Sequence, residues 1–123
     1  MRNNILLGRT ISDEVITELC ERLGLMNFLY LWPQGLDTSI EEGGRNISGG
    51  ERQRIGLLRT LLVKSPILLL DEPEQNLDAQ VLECLIDYLK EIKQFSTCVL
   101  ITHSEAFDEI IDHSLNFDFL KHE

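Results

Sequence analysis

Apolar side chains recur every three or four positions between residues 12 and 24, at Val15, Ile16, Leu19 and Leu23. Ser12 stands where an N-cap belongs, and Asp13 and Glu14 fill a first turn that favours negative charge. Gly24 can end this helix, and a shorter one is expected over residues 25–31. Trp32 to Asn46 then carries Pro33, Gly35, Gly43 and Gly44 and reads as an irregular loop.

A stronger helical pattern begins at Ser48. Ser48 and Glu51 have the S-x-x-E spacing of a capping box. Ile55, Leu58 and Leu62 make an apolar face that Leu57 and Leu61 widen, with Arg52, Arg59 and Lys64 on the wet side. Lys64 suits the negative end of the helix, and Pro66 is expected to stop it.

Ile67 to Leu70 is a continuous apolar run closed by Asp71 and bounded by Pro66 and Pro73. Its length and flanks favour a buried parallel strand over a helix. Asp78 can cap a third long helix, whose stripe is Val81, Leu82, Leu85, Ile86, Leu89 and Ile92. Thr97 to Thr102 is β-branched and apolar, a second buried strand. A short helix from Ser104 to about Ile111 and a strand near Leu115 to Phe119 complete the pattern. Helix alternating with strand is the order of an α/β domain built on a parallel sheet.

Composition narrows the function classes. The chain has 123 residues, enough for one domain with a core, and 43% of them are hydrophobic. Eleven Lys and Arg against twenty-one Asp and Glu leave a net charge of −10. That argues against a general nucleic-acid binder, which would carry a basic stripe. It leaves room for local phosphate binding, because oriented backbone N–H groups attract anions without side-chain charge. Cys20, Cys84 and Cys98 fit no metal-binding spacing, and an odd count suits no closed disulfide framework. They read as buried or half-buried thiols in a reducing compartment. No apolar run approaches the roughly 18 residues of a membrane span. Residues 1–8 have too short an apolar stretch for a signal peptide. The chain is expected in the cytoplasm, without direct membrane insertion.

Three segments carry candidate chemistry. The capping box accounts for Ser48 and Glu51 but not for Gly49 and Gly50, since glycine costs about 1 kcal/mol per helix position relative to alanine. Two glycines in a first turn imply close approach to the backbone, and a helix N-terminus suits an anion. Asp71 and Glu72 end a strand where open α/β sheets place their ligands. One carboxylate can hold Mg²⁺ through water, and the other can polarise an attacking water. A plain strand-end turn is the bland alternative. His103 follows the second strand at the same edge, where it can meet a phosphate or simply start a helix. His113 and His122 have no such context and read as surface residues.

The order Ile47-Ser48-Gly49-Gly50-Glu51-Arg52-Gln53-Arg54, then Ile67 to Pro73, Leu77-Asp78 and Ile101-Thr102-His103 resembles the nucleotide-binding domain of ATP-binding cassette (ABC) proteins. The resemblance runs from about Asn4 to about Phe117. It implies a partial P-loop NTPase fold, with the helical subdomain and signature helix over about 1–64 and the catalytic core over about 65–123. It further implies that Ser48, Gly49, Gly50 and Glu51 form the signature motif, which contacts ATP held by a second nucleotide-binding domain. Asp71, ending the Walker B strand, would help bind Mg²⁺. Glu72 would be the catalytic carboxylate and His103 the switch histidine. Asp78, in the D-loop, would communicate across the dimer. Asn4 to Gly8 resembles the segment just after the Q-loop of exporter-type cassettes. Pro33 to Thr38 with Glu42-Gly43-Gly44 resembles the exporter lead-in to the signature. The implied assembly has a transmembrane domain as partner and sits at the inner face of the membrane.

The sequence departs from the usual pattern in places. Glu51 stands where Gln is common, and a carboxylate near a γ-phosphate is repulsive unless it points back into the capping box. Ile47 replaces the common Leu. Gln75-Asn76-Leu77-Asp78, preceded by Glu74, replaces Ser-Ala-Leu-Asp, and Gly56, Leu58 and Thr60 replace small alanines. None of Lys64, Lys90, Lys93 and Lys121 follows a glycine, so these 123 residues hold no Walker A motif. The adenine-stacking aromatic and the Q-loop glutamine would lie upstream of Met1. The chain alone is therefore expected neither to bind ATP tightly nor to hydrolyse it. In the related fold the Walker A strand lies beside Cys98 to Thr102, so an open apolar edge and self-association, a rearranged sheet or marginal stability are expected. Besides an exporter fragment, two readings stay open. One is a non-catalytic module that lends a signature face to a full cassette. The other is part of a soluble, non-transport ABC ATPase.

Overall fold

Two parallel strands and the helices around them organise residues 1–116, which the computed structural model describes. The elements are α1 (Arg2–Leu6), α2 (Asp13–Arg22), α3 (Met26–Tyr30), 3-10 turns at Gly35–Asp37 and Glu42–Gly44, and α4 (Gly49–Leu61). There follow β1 (Ile67–Asp71), α5 (Ala79–Ile92), β2 (Thr97–Ile101) and a 3-10 helix at Glu105–Ile110. Helix and strand alternate as the hydrophobic pattern predicts.

In α2 the buried stripe is Ile16, Leu19, Cys20 and Leu23, the i, i+3, i+4, i+7 set of one helix face. Val15 falls off that face and is exposed, contrary to expectation. The predicted second helix is α3. The predicted loop from Trp32 to Asn46 is closed by its last residue: the Asn46 side chain accepts from the Glu41 amide at 3.0 Å and donates to the Ser39 carbonyl at 3.0 Å. Helix α1 carries no sequence signal of its own. Its five residues are too few to be stable alone, and α4 holds it through Arg59 Nε, which donates to the Asn4 carbonyl at 2.7 Å.

Helix α4 buries Ile55, Leu57, Leu58 and Leu61 as the pattern requires. It ends at Leu61 with Leu62 as its C-cap, before Pro66 can act, so Lys64 lies beyond the helix rather than in its last turn. Asp78 caps α5 by accepting from the Val81 amide at 3.0 Å, and Val81, Leu85 and Leu89 form its buried stripe.

The strands pair in parallel, with Ile67 opposite Thr97, Leu69 opposite Val99 and Asp71 opposite Ile101. Leu68 and Leu70 join Val81, Leu85 and Leu89 in one core, and Cys98 and Leu100 pack against it. The other sheet face is open. Ile67 is 60% exposed, Leu69 69%, Val99 44% and Ile101 57%. Strands expected to be buried on both faces are thus buried on one, because the described residues supply a cover on one side only. The segment after β2 forms its short helix with Ser104 as cap, its Oγ accepting from the Ala106 amide at 3.2 Å. Leu115 and Asn116 are not in a strand, and the rest of the strand expected there, with His122, lies outside the described residues.

Candidate functional site

Ser48 adopts extended backbone and starts α4 with both halves of the capping box in place. Its Oγ accepts from the Glu51 amide at 3.2 Å, and Glu51 Oε2 accepts from the Ser48 amide at 2.6 Å. Glu51 is thereby folded back onto the backbone instead of projecting past the helix end, which answers the repulsion its charge raised. The amides of Gly49 and Gly50 have no carbonyl one turn back to bond. They have no partner among the described residues, so they are available to an anion.

The two glycines face different surroundings. A Cβ on Gly49 would meet nothing within 4 Å. A Cβ on Gly50 would stand 3.0 Å from Arg54 Nη1 and 3.6 Å from the Asn76 carbonyl oxygen. Gly50 therefore makes room for its own chain, while Gly49 leaves room for something else.

Asp71 closes β1 with an exposed side chain. Glu72 follows in the left-handed region at φ 42° and extends the ladder by donating its amide to the Ile101 carbonyl at 2.7 Å. That conformation costs a non-glycine residue roughly 1–2 kcal/mol and turns the side chain away from the strand direction. Glu72 Oε1 lies 3.7 Å from His103 Nε2, and its other carboxylate oxygen accepts from the Gln75 side-chain Nε2. His103 is 90% exposed, so its pull on Glu72 is weak and needs a protonated imidazole. Thr102 links the strand end to the following turn, donating to Glu74 Oε1 at 2.5 Å and accepting from the Ser104 amide at 2.9 Å.

The structure thus brings Asp71, Glu72 and His103 to the carboxyl ends of the two strands. It leaves Ser48, Gly49, Gly50 and Glu51 at a separate helix start. Asp78 belongs to neither group: it caps α5 and faces Arg54 Nη2 at 3.5 Å. Gln53, Arg54, Gln75 and Thr102 stand within the sequence motifs but carry no assigned role there. For Arg54 a signal existed, since Gly50 and Arg54 are i and i+4 on one helix and so share a face. Among the described residues no three His, Cys, Asp or Glu side chains gather to hold a metal. A divalent ion at Asp71 would take most of its oxygens from water and a nucleotide phosphate, as Mg²⁺ commonly does.

The chain as a whole is similar to known proteins. The family model described as ABC transporter matches residues 1–75. The glutathione/L-cysteine transport system ATP-binding/permease protein CydC of Escherichia coli is 38% identical over 104 residues, which is 84% of this chain and 18% of that protein. The ATP-dependent lipid A-core flippase of Idiomarina loihiensis is 36% identical over 118 residues, 94% of this chain and 20% of that protein. Among solved structures, a bacterial Atm1-family ABC exporter with ATP bound superposes with a TM-score of 0.74 at 31% identity, covering 90% of this chain and 19% of the other. The chain spans about a fifth of the length of these relatives.

Proposed function

This chain belongs to the ABC transporter family, and we propose that it is the carboxyl-terminal part of an exporter's ATP-hydrolysing domain. Residues 1–64 supply part of the helical subdomain and the signature helix, and residues 65–123 supply part of the catalytic core. These relatives are ATP-binding/permease proteins by name, which favours a transport role over a soluble ATPase. The partners in this reading are a second nucleotide-binding domain and a transmembrane domain, which hold the chain at the cytoplasmic face of the membrane. No helix among the described residues is long and apolar enough to cross it.

Magnesium-bound ATP, where present, supplies the phosphoanhydride bond to be hydrolysed. The residues of this chain divide their work between two such nucleotides. The Ser48 hydroxyl and the Gly49 and Gly50 amides donate to the phosphate of a nucleotide held by the partner domain. Each hydrogen bond to a charged oxygen contributes roughly 1.5–3 kcal/mol. Glu51 stays in its capping box and keeps its charge off that phosphate. Asp71 would help hold Mg²⁺, which would offset the charge of the nucleotide bound by its own domain. Glu72 accepts a proton from the attacking water, and His103 donates to the terminal phosphate. Asp78 orients the turn at the dimer interface.

The observation that carries the reading is the meeting of Glu72 and His103 at 3.7 Å on the ends of adjacent parallel strands. Neither site is complete within these 123 residues, so the purified chain is expected to show no ATP turnover above background. Turnover that persists in the chain and disappears on Glu72→Gln would contradict this. A second reading, a non-catalytic module, draws on the signature turn being fully formed in the chain. It predicts that adding the chain raises the turnover of a full cassette and that Gly49→Val cancels the rise.

A further inference from the structure

The two half-sites are joined inside the chain. Arg54 lies one turn along α4 from Gly50, and its Nη1 passes 3.0 Å from where a Gly50 Cβ would be. From there Nη2 reaches Asp78 Oδ2 at 3.5 Å, at the far end of the turn that begins with Glu72. Beside it, Gln53 Nε2 reaches the carbonyls of Glu72 at 3.5 Å and Pro73 at 3.4 Å. These contacts are long, and each is weak alone. Together, two consecutive side chains of the signature helix hold both ends of the turn. That turn needs support, because Glu72 and Asn76 both sit at positive φ, at 42° and 57°.

We propose that Gln53 and Arg54 are positioning residues that tie the signature turn to the Glu72 turn, so that an anion seated on Ser48–Gly50 changes the setting of Glu72. The inference rests on the half-site reading above and adds to it a route of coupling within one chain. A tie of this kind makes the arrival of one nucleotide a condition on hydrolysis of the other. It acts without any group of α4 touching the second nucleotide. Gly50 belongs to this device: any side chain there stands in the path of Arg54.

The test is a titration of the ¹⁵N-labelled chain with inorganic phosphate, reading amide shifts. The expected result is that Gly49–Glu51 and Glu72–Asn76 shift together with one midpoint. In the double variant Gln53→Met, Arg54→Met, the first set still shifts and the second no longer does, while Arg54→Lys alone restores part of the response through Asp78. Shifts confined to Gly49–Glu51 in the unaltered chain, or a second set that persists in the double variant, would overturn the proposal. If phosphate moves neither set, the anion-binding reading of the signature turn fails. The tie is then decided by Ser48→Ala, which loosens the same turn without a ligand. Loss of its effect on the Glu72–Asn76 shifts in the double variant supports the tie, and an unchanged effect refutes it.

Discussion

Alanine at Gly49 and at Gly50 separates the two roles that adjacent glycines play. Gly49 has a φ that any residue adopts, and an added methyl meets no heavy atom within 4 Å. Alanine at such a position loses less backbone entropy on folding and stabilises by about 0.4–1 kcal/mol. For a chain of this size that raises the melting temperature by roughly 2–5 °C. At Gly50 the same gain is offset. The methyl presses on the Arg54 guanidinium at 3.0 Å, which must shift by a few tenths of an ångström and so loosens the Arg54–Asp78 contact. A partly exposed ion pair of this kind is worth about 0–1 kcal/mol. Gly50→Ala is therefore expected to be near neutral in stability. Urea unfolding followed by far-ultraviolet circular dichroism measures both variants, with the slope checked for constancy. Destabilisation by Gly49→Ala beyond about 0.5 kcal/mol would refute the reasoning, since it would mean that the space beside Gly49 is occupied in the folded chain.

Two further outcomes follow from burial. Leu69→Lys, on the open sheet face, is expected to change stability by less than about 0.5 kcal/mol and to reduce self-association in sedimentation, whereas Leu68→Ala, on the covered face, costs about 2–5 kcal/mol. Equal losses for the two would mean the outer face is covered after all. Burial pushes the Cys20 thiol from its ordinary 9.0 up to about 12. A raised folded-state value means the thiol's contribution is complete below pH 9 and is lost as pH rises toward 12, to a limit on the order of 4 kcal/mol. Denaturation midpoints at pH 8 and pH 10.5 should fall more steeply for the unaltered chain than for Cys20→Ala, and parallel slopes would contradict the assignment.

Much of this fold is legible in the chain because local signals and burial agree. The capping box at Ser48, the Asp78 cap and the stripe Val81, Leu85, Leu89 each specify an element without tertiary help. Apolar runs mark the strands, but the run Ile67 to Leu70 says nothing about which layers are present to cover it. Burial on one face is a property of the surroundings, not of the four residues. Helix α1 was illegible for the same reason, since Arg59 and the α4 surface hold it rather than its own sequence. Of the candidate site, the residues at strand ends and helix starts could be named because motif spacing marks them. Gln53 and Arg54 could not be given a role, because their partners are a backbone turn at positive φ and a carboxylate 24 residues beyond Arg54. A sequence pattern records side-chain types at short range and is silent on where such a turn comes to rest.

In the function proposed above, the Ser48–Gly50 turn and the Asp71–Glu72 pair would serve different nucleotides, and neither site would be complete in this chain. Isothermal titration of the purified 123-residue chain with magnesium ATP tests this most directly. No saturable binding is expected below about 1 mM, which corresponds to less than about 4 kcal/mol of binding free energy. One-to-one binding in the micromolar range, weakened by both Gly49→Val and Asp71→Asn, would show that the two motifs hold a single nucleotide and would contradict it.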